Sequence, residues 1–311
     1  MIGARELDYR GSPAMLPDEE GDVERDGVVT HYEVYGDGEP TLLFLPTWSI
    51  VHSRVWRCQI PYFARHFRVV VFDGRGNGRS DHPVEPAAYE PMAFALDALA
   101  VLDATGTERA ITVSLSAGTA WNLILAALHP QRVTAAMFVA PTLYAVSEPF
   151  PEWSRTPYNE RFDSYDGFNG QNRYFIGEHY RDFVDYWTRM CFPERHSTRA
   201  IEYGIGMSLD TTPEVLLATL DGGGMPDMHC PADRLASAGA QLQQIAGRVR
   251  CPVLVVQGEL EQIVMPQWAE ALARDTGGEL LMFPDAGHHP GGRKPVAFNL
   301  LLRSFVERVS R

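Results

Sequence analysis

Short, nearly uninterrupted apolar runs recur along the chain, and most are followed by a segment with apolar residues at helical spacing. Runs of this length without alternation are typical of parallel strands that have helices on both faces of the sheet. An earlier segment alternates apolar and polar residues instead and ends at a Gly-Asp-Gly turn, which predicts a further strand over 28–35. The apolar runs lie at 41–46, 67–73, 110–116, 133–141, 252–258 and 280–284.

Helical periodicity predicts helices over 91–102, 119–129 and 295–311. Strands that alternate with helices favour an α/β fold with a doubly wound, mostly parallel sheet. Sheets of this kind bind ligands at the carboxyl ends of their strands. We therefore look for chemistry in the loops that follow the apolar runs.

The alternation of predicted strands and helices stops between residues 144 and 249, where helical patterns occur without any strand-like run. The stretch from Phe150 to Tyr203 holds 14 of the chain's 33 aromatic residues. We interpret it as a helical cap, with most rings in its own core and some facing a pocket. The predicted organisation is a loosely attached leader over 1–25, an α/β core formed by 26–143 and 250–311, and the cap over 144–249.

The composition of the chain argues against some classes of partner. The chain has 311 residues, enough for a full core, and a formal net charge of −13 without any run of Lys or Arg. This balance argues against nucleic acid as a partner and favours a small molecule. No apolar stretch approaches the ~18 residues of a membrane span, and the N-terminus does not resemble a signal peptide. We expect a cytoplasmic monomer or homodimer that does not bind membranes.

Cysteine and histidine spacing points to no metal site. Cys58, Cys191, Cys230 and Cys251 lie far apart and form no C-x-x-C pair, so we expect free thiols in a reducing compartment. The histidines show no spacing typical of metal ligands. We therefore predict neither a metal nor a cofactor.

The most informative segment is Ser114-Leu115-Ser116-Ala117-Gly118, which lies between a predicted strand and a predicted helix. A sharp strand–turn–helix junction with small flanking residues can expose the hydroxyl of its central serine above the sheet edge. The usual pattern of such a nucleophile elbow is G-x-S-x-G, and here serine occupies the first position. Ser116 is the predicted nucleophile.

A serine nucleophile needs a base and an acid that orients the base, and later strands supply both in the order serine, acid, histidine. Glu259 and Glu261 follow the strand predicted over 252–258. His288 and His289 follow the strand predicted over 280–284. The residues alone do not decide between Glu259 and Glu261 as the acid, or between His288 and His289 as the base.

Three further motifs carry a family resemblance. The run Asp73-Gly74-Arg75-Gly76-Asn77-Gly78-Arg79-Ser80-Asp81 resembles a D-x-R-G-x-G-x-S-D loop, 258–261 resembles a G-x-x-D loop with glutamate as the acid, and Gly287-His288 resembles a G-H motif. From about residue 27 to 308 the chain resembles α/β-hydrolases of the lipase and esterase type.

The resemblance implies a role for each matched residue. Ser116 would be the nucleophile, His288 the base and Glu261 the acid, in preference to His289 and Glu259. Ser114 aligns with the first glycine of the elbow, which implies a packing role. Asp73 and Arg75 would hold their loop by charge-assisted hydrogen bonds.

The oxyanion loop departs from the family pattern, because Leu45-Pro46-Thr47-Trp48-Ser49 stands where these enzymes usually carry His-Gly. The amides of Trp48 and Ala117 are the predicted oxyanion donors, since Pro46 has no N–H. The Trp48 side chain could also form a wall of the pocket. The run over 46–53 resembles hydrolase-like domains that accompany nucleotide cyclases, but this sequence contains no cyclase segment.

The resemblance thus implies a serine hydrolase that cleaves a carboxylic ester or lactone through an acyl-enzyme. A large aromatic cap favours a bulky substrate, with a macrolide-type lactone as one candidate, and inward-facing cap acids would favour a cationic group on it. Dehalogenases and epoxide hydrolases of the family use an aspartate nucleophile, so Ser116 argues against both. Carbon–carbon bond hydrolases and perhydrolases share the triad. A ligand-binding or sensory module with a vestigial triad is the remaining alternative.

Overall fold

A computed structural model describes residues 15–222 and 229–311. Within them, one eight-stranded sheet has the order β1-β2-β4-β3-β5-β6-β7-β8. Strand β2 pairs antiparallel with β1 and β4, and all the other pairs are parallel. The strands are β1 Glu19–Arg25, β2 Val28–Tyr35, β3 Leu42–Phe44, β4 Val69–Phe72, β5 Ala110–Leu115, β6 Val133–Val139, β7 Val253–Gly258 and β8 Glu279–Phe283.

The helices cover both faces of this sheet, so the predicted α/β fold with a doubly wound, mostly parallel sheet is confirmed. The six apolar runs correspond to β3 through β8, and every residue of β3, β4, β5 and β7 is buried. The helices are α1 Ile60–Phe63, α2 Pro91–Ala104, α3 Gly118–Leu128, α4 Arg173–Glu178, α5 Tyr180–Cys191, α6 Thr198–Ser208, α7 Pro213–Asp221, α8 Pro231–Ala246, α9 Pro266–Thr276, α10 Pro290–Arg293 and α11 Pro295–Val309.

The N-terminal segment corrects one prediction. Residues 19–25 are not part of a loose leader, because they form β1 and pair with β2 from Glu19 opposite Val34 to Arg25 opposite Val28. The two strands are joined at Asp26-Gly27, where both residues have positive φ, 52° and 75°. This is the geometry of a tight hairpin turn. Of the leader predicted over 1–25, residues 1–14 lie outside the described residues.

Between β6 and β7, the described residues contain helices α4 to α8 and no strand. The buried face of α5 carries Phe183, Val184 and Trp187, and Trp187 packs edge-on against Trp48 at a ring-centroid distance of 5.1 Å. Cap and core therefore share one aromatic cluster beside the sheet edge. The cap boundaries at 144 and 249 stay predictions.

Across the described helices, none combines the length and the apolar character that crossing a membrane requires.

Candidate active site

Ser116 occupies a strained turn between β5 and α3, with a φ of 55°. The left-handed region costs a residue with a Cβ roughly 1–2 kcal/mol, so the surrounding structure must hold it there. The Ser116 amide donates to the Val139 carbonyl at 2.8 Å, and the Ser116 carbonyl accepts from the Thr119 amide at 3.0 Å. These bonds fix the residue at the carboxyl end of β5, where the elbow motif predicts it.

Gly118, the last residue of the elbow, allows the loop that follows β3 to approach closely. A Cβ on Gly118 would lie 2.6 Å from the Pro46 carbonyl oxygen. That same oxygen accepts a hydrogen bond of 2.8 Å from the Trp121 indole. The loop predicted to supply an oxyanion donor is therefore packed directly on the elbow.

The amides of Trp48 and Ala117 donate no hydrogen bond to any other described residue, although both residues are buried. Free amides on the two sides of a nucleophile are what an oxyanion site requires. Their role as oxyanion donors remains a prediction.

Ser114 lies within the core. Its hydroxyl accepts from Asn122 Nδ2 at 2.9 Å and donates to the Met137 carbonyl at 3.3 Å. Its side chain ties β5 to α3 and β6, in keeping with the predicted packing role.

His288 and Glu261 form a buried pair. The Nδ1 of His288 lies 2.8 Å from Oε2 of Glu261, and the two side chains are only 6% and 2% exposed. The other carboxylate oxygen accepts the backbone amides of Gln262 at 2.9 Å and Ile263 at 2.8 Å. Both oxygens are thus occupied by donors, which keeps the carboxylate in place and directs Nδ1–H towards it. His288 Nε2 is left as the proton acceptor.

The two competing residues are placed elsewhere. Glu259 is exposed and accepts a 3.3 Å hydrogen bond from the Asp285 amide. His289 packs edge-on against Trp56, with ring centroids 6.0 Å apart. Burial, with smaller contributions from the nearby positive charges, lowers the pKa of His289 to about 3. Neither residue takes part in the His288–Glu261 pair.

The Ser116 hydroxyl is hydrogen-bonded to Thr142 Oγ1 at 2.8 Å, and no hydrogen bond joins it to His288 within the described structure. Thr142 also donates to the Ala140 carbonyl at 3.3 Å. Sequence reasoning missed this threonine. Its position just beyond the predicted strand 133–141, at the edge that carries the elbow, is the signal that could have found it.

The loop after β4 is held by its acidic residue. Asp73 accepts the amides of Ser53 and Arg79, each at 2.9 Å. Arg75 is buried and donates to Asp97 at 2.9 Å. The loop motif therefore has a structural function, as predicted.

A cavity of about 390 Å³ contains Ser116 and Thr142 in its wall. Trp48 lines it, as expected, together with Trp153 and Trp187 of the cap segment. His288 and Glu261 are not among its lining residues. The eight acidic residues between 148 and 185 do not line it either, so they give no support to a cationic substrate.

One group of possible metal ligands occurs in the described residues, at Glu20, His31 and Glu33, whose ligand atoms lie within 4.8 Å of one another. Arg54 holds both oxygens of Glu33 at 2.6 Å, and the His31 Nδ1 lies 2.7 Å from Asp22. This is an ion-pair cluster on strands β1 and β2, and we assign it no metal.

Comparison with known sequences gives one match over most of the chain and several shorter ones. The sequence model of the α/β hydrolase fold family matches residues 40–294. A candidate carbamate hydrolase, RutD, from Azorhizobium caulinodans is 33% identical over 109 residues, which are 35% of this chain and 40% of that protein. Epoxide hydrolase A of Mycobacterium tuberculosis is 35% identical over 111 residues, 34% of each chain. The chain therefore matches less than half the length of these curated relatives.

Solved structures match over nearly the full length. Est816, described as an enzyme that degrades N-acyl homoserine lactones, has a TM-score of 0.71 and 26% identity, over 92% of this chain and 100% of its own. An enol-lactonase from Burkholderia xenovorans has the same TM-score at 19% identity, which shows the fold alone. With the extent of the family match and the fold described above, the chain belongs to the α/β hydrolase fold family.

Proposed function

We propose that the protein is a serine hydrolase that cleaves a carboxylic ester or lactone through an acyl-enzyme. The observation that carries the proposal is the buried His288–Glu261 pair at 2.8 Å, in the loops that follow β8 and β7, two strands of the sheet that also contains the β5 strand leading into the Ser116 elbow. Ser116 follows β5, Glu261 follows β7 and His288 follows β8. Because these are parallel strands of one sheet, the three residues lie at its carboxyl edge.

In the proposed reaction, the Ser116 hydroxyl leaves its hydrogen bond to Thr142 and donates to Nε2 of His288. The oxygen attacks the substrate carbonyl while His288 takes the proton, and Glu261 stabilises the imidazolium that results. His288 then protonates the departing alkoxide. A water molecule, deprotonated by His288, hydrolyses the acyl-enzyme and releases the acid.

The amides of Trp48 and Ala117 would stabilise the negative charge on the carbonyl oxygen during both steps. Losing one such donor costs roughly 3–4 kcal/mol of transition-state stabilisation in comparable sites. A proline and a tryptophan in this loop leave fewer backbone conformations open than the usual glycine would. The donor on the Trp48 side would thus be in place before the substrate binds.

The choice of substrate rests on the nucleophile and the cavity. An epoxide hydrolase is among the matched relatives, but the serine at position 116 favours acyl chemistry over the aspartate-based opening of an epoxide. Est816 is described as acting on a lactone, which supports including lactones. A cavity of about 390 Å³ accommodates a medium-sized ligand and favours bulky acyl groups over acetyl.

The test is a panel of short and long 4-nitrophenyl esters, an N-acyl homoserine lactone, a macrolide lactone and an epoxide. The proposal expects hydrolysis of long esters or lactones and no turnover of the epoxide. Ser116→Ala should abolish turnover, while Ser114→Ala, the matched control in the same pentapeptide, should retain it. Full turnover by Ser116→Ala would refute the proposal.

Carbon–carbon bond hydrolysis and perhydrolysis remain alternatives that use the same triad. They would be indicated by labelling of Ser116 without hydrolysis of any ester or lactone. A vestigial site would neither react with a serine-directed probe nor turn over any member of the panel.

A further inference from the structure

The cavity wall contains a positively charged side chain that has no partner in the described part of the chain. Arg234 lies in the first turn of α8 and lines the same cavity as Ser116. Its Nε is buried and has no hydrogen-bond partner. The residue as a whole is half-buried, and no hydrogen bond joins its terminal nitrogens to a described residue. Burial lowers the pKa of this guanidinium, although the charge of Asp221 acts in the opposite direction.

The nearest acidic group is already occupied by other residues. Asp221 accepts the Tyr158 hydroxyl at 2.9 Å and forms a longer contact of 3.5 Å with Arg173. The charge of Asp221 is therefore shared with Arg173, and Arg234 leaves a net positive charge at the cavity. The one acidic residue among the cavity's described lining, Glu90, is exposed to solvent.

Two tryptophan residues of the same wall have unpaired indole nitrogens, but these atoms are not accessible from the cavity. The Nε1 atoms of Trp48 and Trp153 are buried and have no partner among the described residues. Both rings pack against Trp187, at centroid distances of 5.1 and 4.9 Å. The short helical turn that carries Trp153, Glu152–Arg155, contacts α8, which carries Arg234.

Buried donors without acceptors are costly, roughly 1–3 kcal/mol each and more when charged. The terminal nitrogens of Arg234, which is only half-buried, are the unpaired donors to which a ligand in the cavity can supply acceptors. A single guanidinium among largely apolar walls matches a single carboxylate, which can accept two parallel hydrogen bonds from it.

We propose that the preferred substrates carry a carboxylate, separate from the reactive carbonyl, which binds to the guanidinium of Arg234. This inference rests on the proposed hydrolysis at Ser116 and specifies its substrate class. The cavity lining also includes the apolar residues Ile124, Leu242 and Ile245. They suit a substrate with an aliphatic or alicyclic chain between its carboxylate and its reactive carbonyl.

The kinetic test compares mono-4-nitrophenyl esters of the six- to nine-carbon dicarboxylic acids with the corresponding methyl 4-nitrophenyl diesters, which lack the charge. At the best chain length, the monoester should have a kcat/KM about tenfold or more above that of its neutral diester. In Arg234→Gln this ratio should fall to about one, and Arg234→Lys should keep part of it. Arg248→Gln, which removes an exposed arginine just beyond α8, should keep the wild-type ratio.

A binding measurement separates this inference from the proposed reaction. Calorimetry on Ser116→Ala should show that monomethyl suberate binds about tenfold more tightly than dimethyl suberate, and that adding Arg234→Gln removes the difference. This result would support the carboxylate site even if no ester were hydrolysed, in which case the proposed reaction alone would fail.

The inference is overturned if wild-type enzyme prefers the neutral diester at every chain length. It is also overturned if the charged-to-neutral ratio is the same in Arg234→Gln and wild type, or if Ser116→Ala binds both suberate esters equally.

Discussion

The buried imidazole of His289 should make the fold sensitive to acid, independently of catalysis. Its ring is 4% exposed and packs between Trp56 and Phe192, at centroid distances of 6.0 and 6.2 Å. Its Nε2 has no hydrogen-bond partner among the described residues. Burial lowers the pKa of His289 to about 3 in the folded protein, whereas an unfolded chain leaves a histidine near 6.5.

The sign and size of the effect follow from these two values. Below about pH 6.5 the unfolded state binds a proton that the folded state excludes, so stability is fully present above this pH and falls as the pH decreases towards 3. Each pH unit below about 6.5 lowers the free energy of unfolding by about 1.4 kcal/mol. Moving from pH 7 to pH 5 should therefore remove about 2 kcal/mol of stability through this one residue.

The assay is urea unfolding of wild type and His289→Met at pH 7, 6 and 5, with the difference in unfolding free energy taken at each pH. Methionine has a similar volume and no titrating group. The variant should gain about 2 kcal/mol relative to wild type between pH 7 and pH 5, whatever its stability at pH 7. His66→Met, at an exposed histidine, is the control and should change this difference by less than about 0.5 kcal/mol.

The reasoning would be refuted if wild type and His289→Met lost stability in parallel as the pH fell. Parallel loss would mean that His289 accepts its proton in the folded state, through a hydrogen bond or a water path that offsets its burial.

Three further changes test the site in steady-state kinetics and urea unfolding. Glu261→Gln should lower kcat by about 10²- to 10⁴-fold, while Glu259→Gln should leave it within about threefold; equal effects would contradict the assigned acid. Gly118→Ala should cost about 1–3 kcal/mol of stability and reduce activity, because its Cβ would lie 2.6 Å from the Pro46 carbonyl oxygen; unchanged stability and rate would show that the loop can yield. Thr142→Val should change kcat by less than about tenfold, because its hydroxyl holds only the resting nucleophile; a loss above about 100-fold would assign it a part in the reaction.

The sheet could be predicted because strands buried on both faces are nearly continuously apolar, as Val69–Phe72 is throughout and Val253–Gly258 is except at Gln257. Strand β1 escaped prediction because an edge strand exposes much of its surface and can be charged, as Glu-Glu-Gly-Asp-Val-Glu-Arg is. Its Asp26-Gly27 turn was the available signal. Apolar continuity thus detects the central strands and the edge strand β8, but it misses a charged edge strand such as β1.

The residues of the candidate site also fall into two groups, those that the sequence could predict and those that it could not. Ser116, His288 and Glu261 could be proposed from motifs and chain order, because each follows a strand of the same parallel sheet. Thr142 was missed, although its position just beyond the strand predicted over 133–141 was a signal. Arg234 could not be predicted, because its position depends on how α8 packs around the cavity. In the sequence, Arg234 is indistinguishable from a solvent-facing residue of an amphipathic helix; only its place in the cavity wall without a hydrogen-bond partner sets it apart.

The most direct test of the central claim is labelling with a fluorophosphonate probe, followed by peptide mapping and by rate measurements on a variant. If Ser116, His288 and Glu261 act together, wild type should acquire one adduct, on the peptide that contains Ser116, and Ser116→Ala should acquire none. His288→Gln should react at least about 100-fold more slowly, because the serine loses its base. Labelling at another residue, or an equal rate in wild type and His288→Gln, would contradict the account.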